Sequence, residues 1–467
     1  MRPLAKNRFD ELTFGLRAAG SREAWRDVSF WSNADETLLG VLSYAEHADG
    51  YMGMILARDD HRRYRPLGNA VIFRTKGAGD HSICARIAEL DGEGTSKAET
   101  PNGEEPGVDL FTIDHDRTLN PIFENLRGTL HSTAARTVLQ EIAHWFIDRD
   151  GNFVRDFQTT GISARLFELY LFRAFHALDF SVDQSIAVPD FVLKRGDITL
   201  YVEATTANPV DTMDIDLLAG PTPPPEDFWR FIENDMPVIF GSPLYSKLKK
   251  KYWEKEPVKG HPFAIAIADF HAPASMIWSH TALSIYLFGI SVERSVGPHG
   301  EEIALPRPLK IHRRGEKVIQ AGFFDLPDTR HISAILFSNA ATKAKFTRMG
   351  TLAGFGHPEC SVHRKGGLSN PEPGALSAIP FECNIEDGAY EEDWADELEI
   401  YHNPNALIPW PGETVIPQAT HFRRQTDDEL VWRGAPFRVL FSSTKVEHKP
   451  SPPFDDDTDS SAGETSD

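Results

Sequence analysis

Cysteine is scarce in this chain, with three in 467 residues: Cys84, Cys360 and Cys383. They are too few and too far apart for a disulfide framework, so a reducing cytoplasm is the expected compartment. Long apolar runs are missing as well. The longest candidate, Ala282 to Val292, is interrupted by Ser284 and Gly289 and falls short of the roughly 20 residues that span a bilayer. The opening Met1-Arg2-Pro3-Leu4-Ala5-Lys6-Asn7-Arg8 has no apolar stretch behind its charges, so no secretory signal is expected. Positive charge is in short supply too: the formal net charge is -21. Phe454 to Asp467 holds six acidic and no basic residues, and without it the remainder still stands at -15. This balance argues against holding nucleic acid by bulk electrostatics; any phosphate-binding surface has to be local.

A chain of this length is expected to fold as two or three packed units. Residues 1–91 read as a small α+β region, with strands at Leu38–Leu42, Tyr51–Ala57 and Val71–Arg74. Residues 92–109, polar and rich in Gly, Pro and Glu, read as an exposed linker. A core follows over 110–295. There Thr133 to Phe146 and Ser163 to Leu178 have helical periodicity, with Ser163 as a plausible N-cap. A strand to Leu193, a turn at Lys194-Arg195-Gly196-Asp197 and a strand over Ile198–Thr206 come next. A proline-rich bend at Pro221–Pro225, a helical stretch around Phe228–Asn234, a basic segment Ser246–Trp253, a buried strand Phe263–Ala268 and a helix Ser275–Gly289 complete it. Residues 296–449 form a third, mixed region with a strand at Ile332–Phe337, and the acidic tail 450–467 is expected to be disordered.

The chemistry gathers in the core. Ala164, Phe167, Glu168, Leu171, Ala174, Phe175 and Leu178 share one helical face. Six are apolar and one is a carboxylate, so Glu168 needs a partner such as Arg165, one turn back, or a metal-site water. If the turn closes at Lys194–Asp197, Asp190 faces Tyr201, and Tyr201, Glu203 and Thr205 share a side because strand side chains alternate. Asp190 and Glu203 then sit diagonally adjacent, within reach of one divalent cation. Mg²⁺ favours few carboxylates, several waters and phosphate oxygens.

Glu168, then Pro189-Asp190, then Glu203-Ala204-Thr205 after twelve intervening residues, resembles the PD-(D/E)XK nuclease superfamily. The resemblance implies an α/β fold: a restriction-endonuclease-like core, a central mixed sheet flanked by helices, with additional N- and C-terminal α+β regions. It implies that Asp190, Glu203 and the Ala204 carbonyl bind Mg²⁺ or Mn²⁺, that Glu168 orders the surrounding shell, and that the partner is nucleic acid, DNA before RNA. The implied reaction is phosphodiester hydrolysis, in defence or repair. The family's motif lysine falls at Thr205, which carries no charge. Either Lys247 or Lys250 supplies the cation, or the fold is kept as a catalytically inactive binding or scaffold module. The chain as a whole also resembles an uncharacterised bacterial protein family through Asp148-Arg-Asp-Gly-Asn-Phe153, Phe337-Ser-Asn339 with Lys345-Phe-Thr-Arg-Met-Gly350, and Tyr401-His-Asn-Pro-Asn-Ala406.

Each feature also has a plain structural reading. Glu168 alone is an arginine-paired helix glutamate, and Asp190 alone a hairpin-edge aspartate. Lys247, Lys249, Lys250 and Lys251 could form a solvated face balanced by Glu254 and Glu256. His357, Cys360 and His363 have metal-like spacing, but the adjoining Pro358 and glycines read as a loop. Gly77-Ala-Gly-Asp80 reads as a turn, and no internal repeat is visible.

Overall fold

The computed structural model describes residues 1–20, 24–45, 47, 49–208, 225–272, 277–279, 281–296, 302–372, 377–426, 429–435 and 437–449. The acidic tail, most of the proline-rich bend and the start of the expected helix at Ser275 lie outside these residues. A mixed eight-stranded sheet organises the molecule. Its spatial order is Glu429–Arg433, Thr420–Thr426, Glu399–His402, Ala334–Phe337, Phe263–Asp269, Ile198–Ala207, Phe191–Arg195 and Ser181–Asp183. Phe263–Asp269 runs parallel to both of its neighbours, whereas Phe191–Arg195 is antiparallel to both of its own.

The strand alternation sets what each face can hold. In Phe263–Asp269, Ala264, Ala266 and Ala268 face one apolar cluster, while Phe263, Ile265 and Ile267 face the other. The small side lies against the helix Ile162–Ala177, which supplies the bulk: Phe167, Leu169, Tyr170, Leu171, Phe172 and Phe175 are all buried. Each such side chain contributes about 1.5–3 kcal/mol on burial. The large side meets the helix Met236–Lys249, through Met236, Phe240, Leu244 and Leu248. The sheet is therefore flanked by helices on both faces, and the strand Ile198–Ala207 is gripped between the two.

The N-terminal residues form a second, six-stranded sheet around Leu38–Ala45 and Gly50–Arg58, covered by the helix Lys76–Gly92. Gly77–Asp80 is part of that helix and not a turn. Thr75 caps it by accepting from the Ala78 amide, and Gly79 lets the helix approach Leu42, against which any Cβ would clash. The helix Lys6–Thr13 contributes Phe9 and Leu12 to the same apolar cluster as the Ile162–Ala177 helix. The stretch 92–109 packs back in part: Ala98 is buried, and Glu104 bridges Arg63 and Arg65. Ser163 does not cap its helix; the N-cap position is Gly161. The Pro- and Gly-rich stretch from Gly350 onward holds the strands Cys360–Leu368 and Ile379–Asn384, which join Val439–His448 in a three-stranded antiparallel sheet.

Candidate functional site

The hairpin that carries Asp190 and Glu203 closes more tightly than the sequence suggests. Arg195 pairs with Ile198, leaving only Gly196 and Asp197 in the turn. Gly196 has φ +56°, a conformation that suits glycine and the two-residue turns of twisted hairpins. The register is thus shifted by two residues from the expected one. A two-residue shift keeps every side chain on its own side, and it places Asp190 opposite Glu203 instead of diagonal to it. The ladder stops at Phe191 opposite Val202. One residue beyond, Asp190 Oδ2 accepts a 2.7 Å hydrogen bond from the Ala204 amide. A carboxylate oxygen takes the place of the carbonyl that a longer strand would have supplied.

Glu203 is buried beneath the helix Met236–Lys249. Its Oε1 accepts from Lys247 Nζ at 2.6 Å and from the Tyr252 hydroxyl at 2.7 Å. Burial, and then the bond to Glu203, raise the Tyr252 phenol, so it stays a donor. Glu203 Oε2 is buried and has no hydrogen-bond partner. From the opposite face, Glu168 is held by Arg165 at 2.9 and 3.0 Å, and the same guanidinium reaches Asp156 at 2.8 Å.

The charges do not balance. Asp190 is exposed as a residue, yet its carboxylate turns onto the Ala204 amide, so protein crowds the charged end while solvent reaches the rest. That crowding, with the negative charges of Glu203 and then Glu168, pushes the Asp190 carboxyl up to about 8. Burial also raises Glu168, against the pull of Arg165. Three carboxylates thus share two nearby cations, one of which also serves Asp156.

Of the residues singled out from sequence, Glu168, Asp190, Glu203 and Lys247 fall into one electrostatic neighbourhood. Ala204 joins them through its amide. Thr205 is the next residue of the strand, paired with Ile267, and brings no charge. Lys250 does not join them: the helix ends at Lys249, and the Lys250 ammonium lies over the Tyr252 ring. Nor do the lysines form one surface. Lys249 lies over Tyr245, and Lys251 pairs with Glu254 and Asp328.

A cleft of about 60 Å³ opens beside the carboxylates, lined by Asp148, Arg149, Arg165, Glu168, Gln184 and Asp190 among others. The Asp148–Phe153 stretch forms one wall. Asp148 fixes it by accepting from the amides of Asp150, Gly151 and Phe153. This wall was visible in the sequence as a motif, but nothing local linked it to Asp190. A larger cavity, about 290 Å³, lies at the end of the strand Ala334–Phe337, lined in part by Asn339, Thr342, Arg348, Glu397 and Glu399. The His357–Cys360–His363 spacing does not become a cluster: the only group of three metal-capable side chains with ligand atoms mutually within 4.8 Å, among the described residues, is His131, Cys360 and His448.

Fold and site define a mixed α/β protein whose mixed sheet is flanked by helices and carries a carboxylate-rich corner at a strand end. No helix of the described residues is long and apolar enough to cross a membrane. Searches against protein-family models, curated proteins and solved structures found no match to this chain.

Proposed function

We propose that the chain is a metal-dependent nuclease on a restriction-endonuclease-like core, hydrolysing phosphodiester bonds in DNA or RNA, with Asp190 and Glu203 as the metal ligands. The observation that carries the reading is Lys247. Its ammonium sits 2.6 Å from Glu203, supplying from the following helix the cation that Thr205 lacks. The residues fit a divalent ion. A buried carboxylate oxygen on Glu203 has no partner, and the Asp190 carboxyl is raised by burial and then by the negative charges of Glu203 and Glu168. Two side-chain carboxylates with the remaining positions left to water and phosphate is a donor set that suits Mg²⁺ or Mn²⁺.

Such an ion would polarise a water and offset the charge on the phosphate. The chain's own groups do the rest. Lys247 and Tyr252 fix the orientation of Glu203, and Lys247 stabilises negative charge that develops near it. The Ala204 amide orients Asp190. Arg165 anchors Glu168 at the cleft wall, which Arg149, paired with Glu105, also lines.

The rival is an inactive nuclease-fold binding module. It is favoured by the Lys247–Glu203 and Arg165–Glu168 pairs, which give each glutamate a protein cation of its own. The test is cleavage of single- and double-stranded DNA and RNA with Mg²⁺, Mn²⁺ or EDTA, beside Glu203→Ala. Cleavage that needs metal and disappears in the variant supports the enzyme. No cleavage, or equal cleavage by the variant, leaves the binding module.

A further inference from the structure

Far from the carboxylates in sequence, three side chains of another kind converge. His131 lies in the single turn Leu130–Ser132 that leads into the helix Thr133–Ala143. Cys360 opens the strand Cys360–Leu368, and His448 closes the strand Val439–His448. The two strands are antiparallel with Cys360 directly opposite His448, so sheet register alone sets the thiol beside one imidazole. The turn brings the other, with the two imidazole rings 4.7 Å apart at 60°. One ligand atom from each residue lies within 4.8 Å of the other two.

The surroundings distinguish this group from a chance meeting. Cys360 is 6% exposed. His131 Nε2 is sealed from solvent and has no hydrogen-bond partner. A buried polar nitrogen left unpaired is destabilising, a cost that a metal ligand bond removes. His448 is exposed, which gives the group an open side. A tetrahedral zinc site with Zn–S near 2.3 Å and Zn–N near 2.0–2.1 Å needs ligand atoms about 3.3–3.7 Å apart. The ligand atoms, within 4.8 Å of one another, have to draw in by up to about 1.5 Å to meet this geometry.

We propose that His131, Cys360 and His448 form a binding site for a soft or borderline divalent ion, Zn²⁺ in particular, with water in the fourth position on the His448 side. Thiolate and imidazole select such an ion over Mg²⁺, which prefers oxygen. Binding releases the Cys360 thiol proton to water as the S–metal bond forms. The bound ion ties the turn before the Thr133–Ala143 helix to two strands of the C-terminal sheet, closing contacts over more than 300 residues of chain. The site is independent of the nuclease reading and uses none of its residues.

The test uses the full chain, stripped with chelator and titrated with Zn²⁺ against a chromophoric competitor, and separately with Co²⁺. The expected result is one tight equivalent of Zn²⁺ and a sulfur-to-cobalt charge-transfer band. Cys360→Ser abolishes the band, and His448→Ala, at an exposed position, weakens Zn²⁺ binding at least tenfold. Glu203→Ala leaves both readouts unchanged. Absence of a tight equivalent in the unmodified chain overturns the proposal. So does a cobalt band that survives Cys360→Ser, which would assign it to Cys84 or Cys383, or Zn²⁺ affinity unaltered in His448→Ala.

Discussion

Two buried charge clusters in this molecule are built from the same residue types and end in opposite states. Around Glu392, Lys345 donates at 2.7 Å, Arg348 twice at 2.8 Å and the Tyr390 hydroxyl at 2.6 Å, with Arg364 at 3.6 Å. Burial alone would raise the Glu392 carboxyl, but Arg348 and then Lys345 hold it well below the usual carboxylate range. Around Asp190 the anions outnumber the cations, and burial, with the charges of Glu203 and Glu168, lifts the carboxyl to about 8. The first cluster is complete in itself. The second has more carboxylates than cations at the mouth of a cleft, and the proposed metal site rests on that imbalance.

The sharpest way to break this comparison is to remove one anion from each cluster. Glu392→Ala leaves Lys345 and Arg348 buried without their main counter-charge, while Arg364 keeps Glu397. It is expected to cost about 3–5 kcal/mol, seen as a lower urea midpoint. Asp190→Asn keeps an acceptor for the Ala204 amide and removes the cost of taking up a proton on folding, which the raised carboxyl imposes near pH 7, so its midpoint there should match or exceed that of the unmodified chain. Equal losses in the two variants would mean that both clusters are structural.

The next effect is on activity. Asp190→Asn and Lys247→Met are each expected to lower metal-dependent cleavage by about 100-fold, with Asp190→Asn retaining stability. A Lys247→Met protein that cleaves normally would remove the observation on which the nuclease reading rests. A smaller effect follows from mass action. Mg²⁺ or Mn²⁺ at a hundred times its Kd should stabilise the folded chain by about 2.7 kcal/mol, and should do so much less in Asp190→Asn. An identical thermal shift in both proteins would place the ion elsewhere.

How much of this was legible in the sequence depends on whether the signal was local. The strands Ile198–Ala207 and Phe263–Asp269 could be read because runs of β-formers alternate cleanly between two faces. The pairing of Asp190 with Glu203 survived a misread turn because the strand period is two and the register error was also two. Lys247 and Lys250, three residues apart, could not be told apart, since the helix end that separates them is set by Lys251 in a left-handed conformation with φ +47°. The three-stranded sheet was hidden among prolines and glycines: Gly366 packs directly on the Phe441 backbone, so the residue that suggested a loop is the one that lets two strands close. His131, Cys360 and His448 were beyond reach, because only long-range register brings them together.

The smallest predicted effect comes from a third buried pair, neutral where the first two clusters are charged. His421 Nε2 lies 2.8 Å from the Ile416 carbonyl, and its Nδ1 lies 2.8 Å from His402 Nε2. With both rings neutral, His421 donates to the carbonyl and accepts from His402. Burial, helped by Arg423 and then His421, lowers the His402 pKa to about 3. Because the folded value lies below the unfolded one, near 6.5, the neutral pair supports the fold fully above that value. The support is lost as pH falls from about 6.5 toward about 3, where the unfolded chain takes up the proton first. His402→Gln should therefore flatten the decline of the urea midpoint over this window, while changing little at pH 8. A slope unchanged by the substitution would show that protons taken up elsewhere, including at Glu413, held down to about 2 by its bond to Arg423, dominate the acid limb. The contrast with Asp190 would then be lost, since one titration is expected to weaken the fold on acidification and the other to strengthen it.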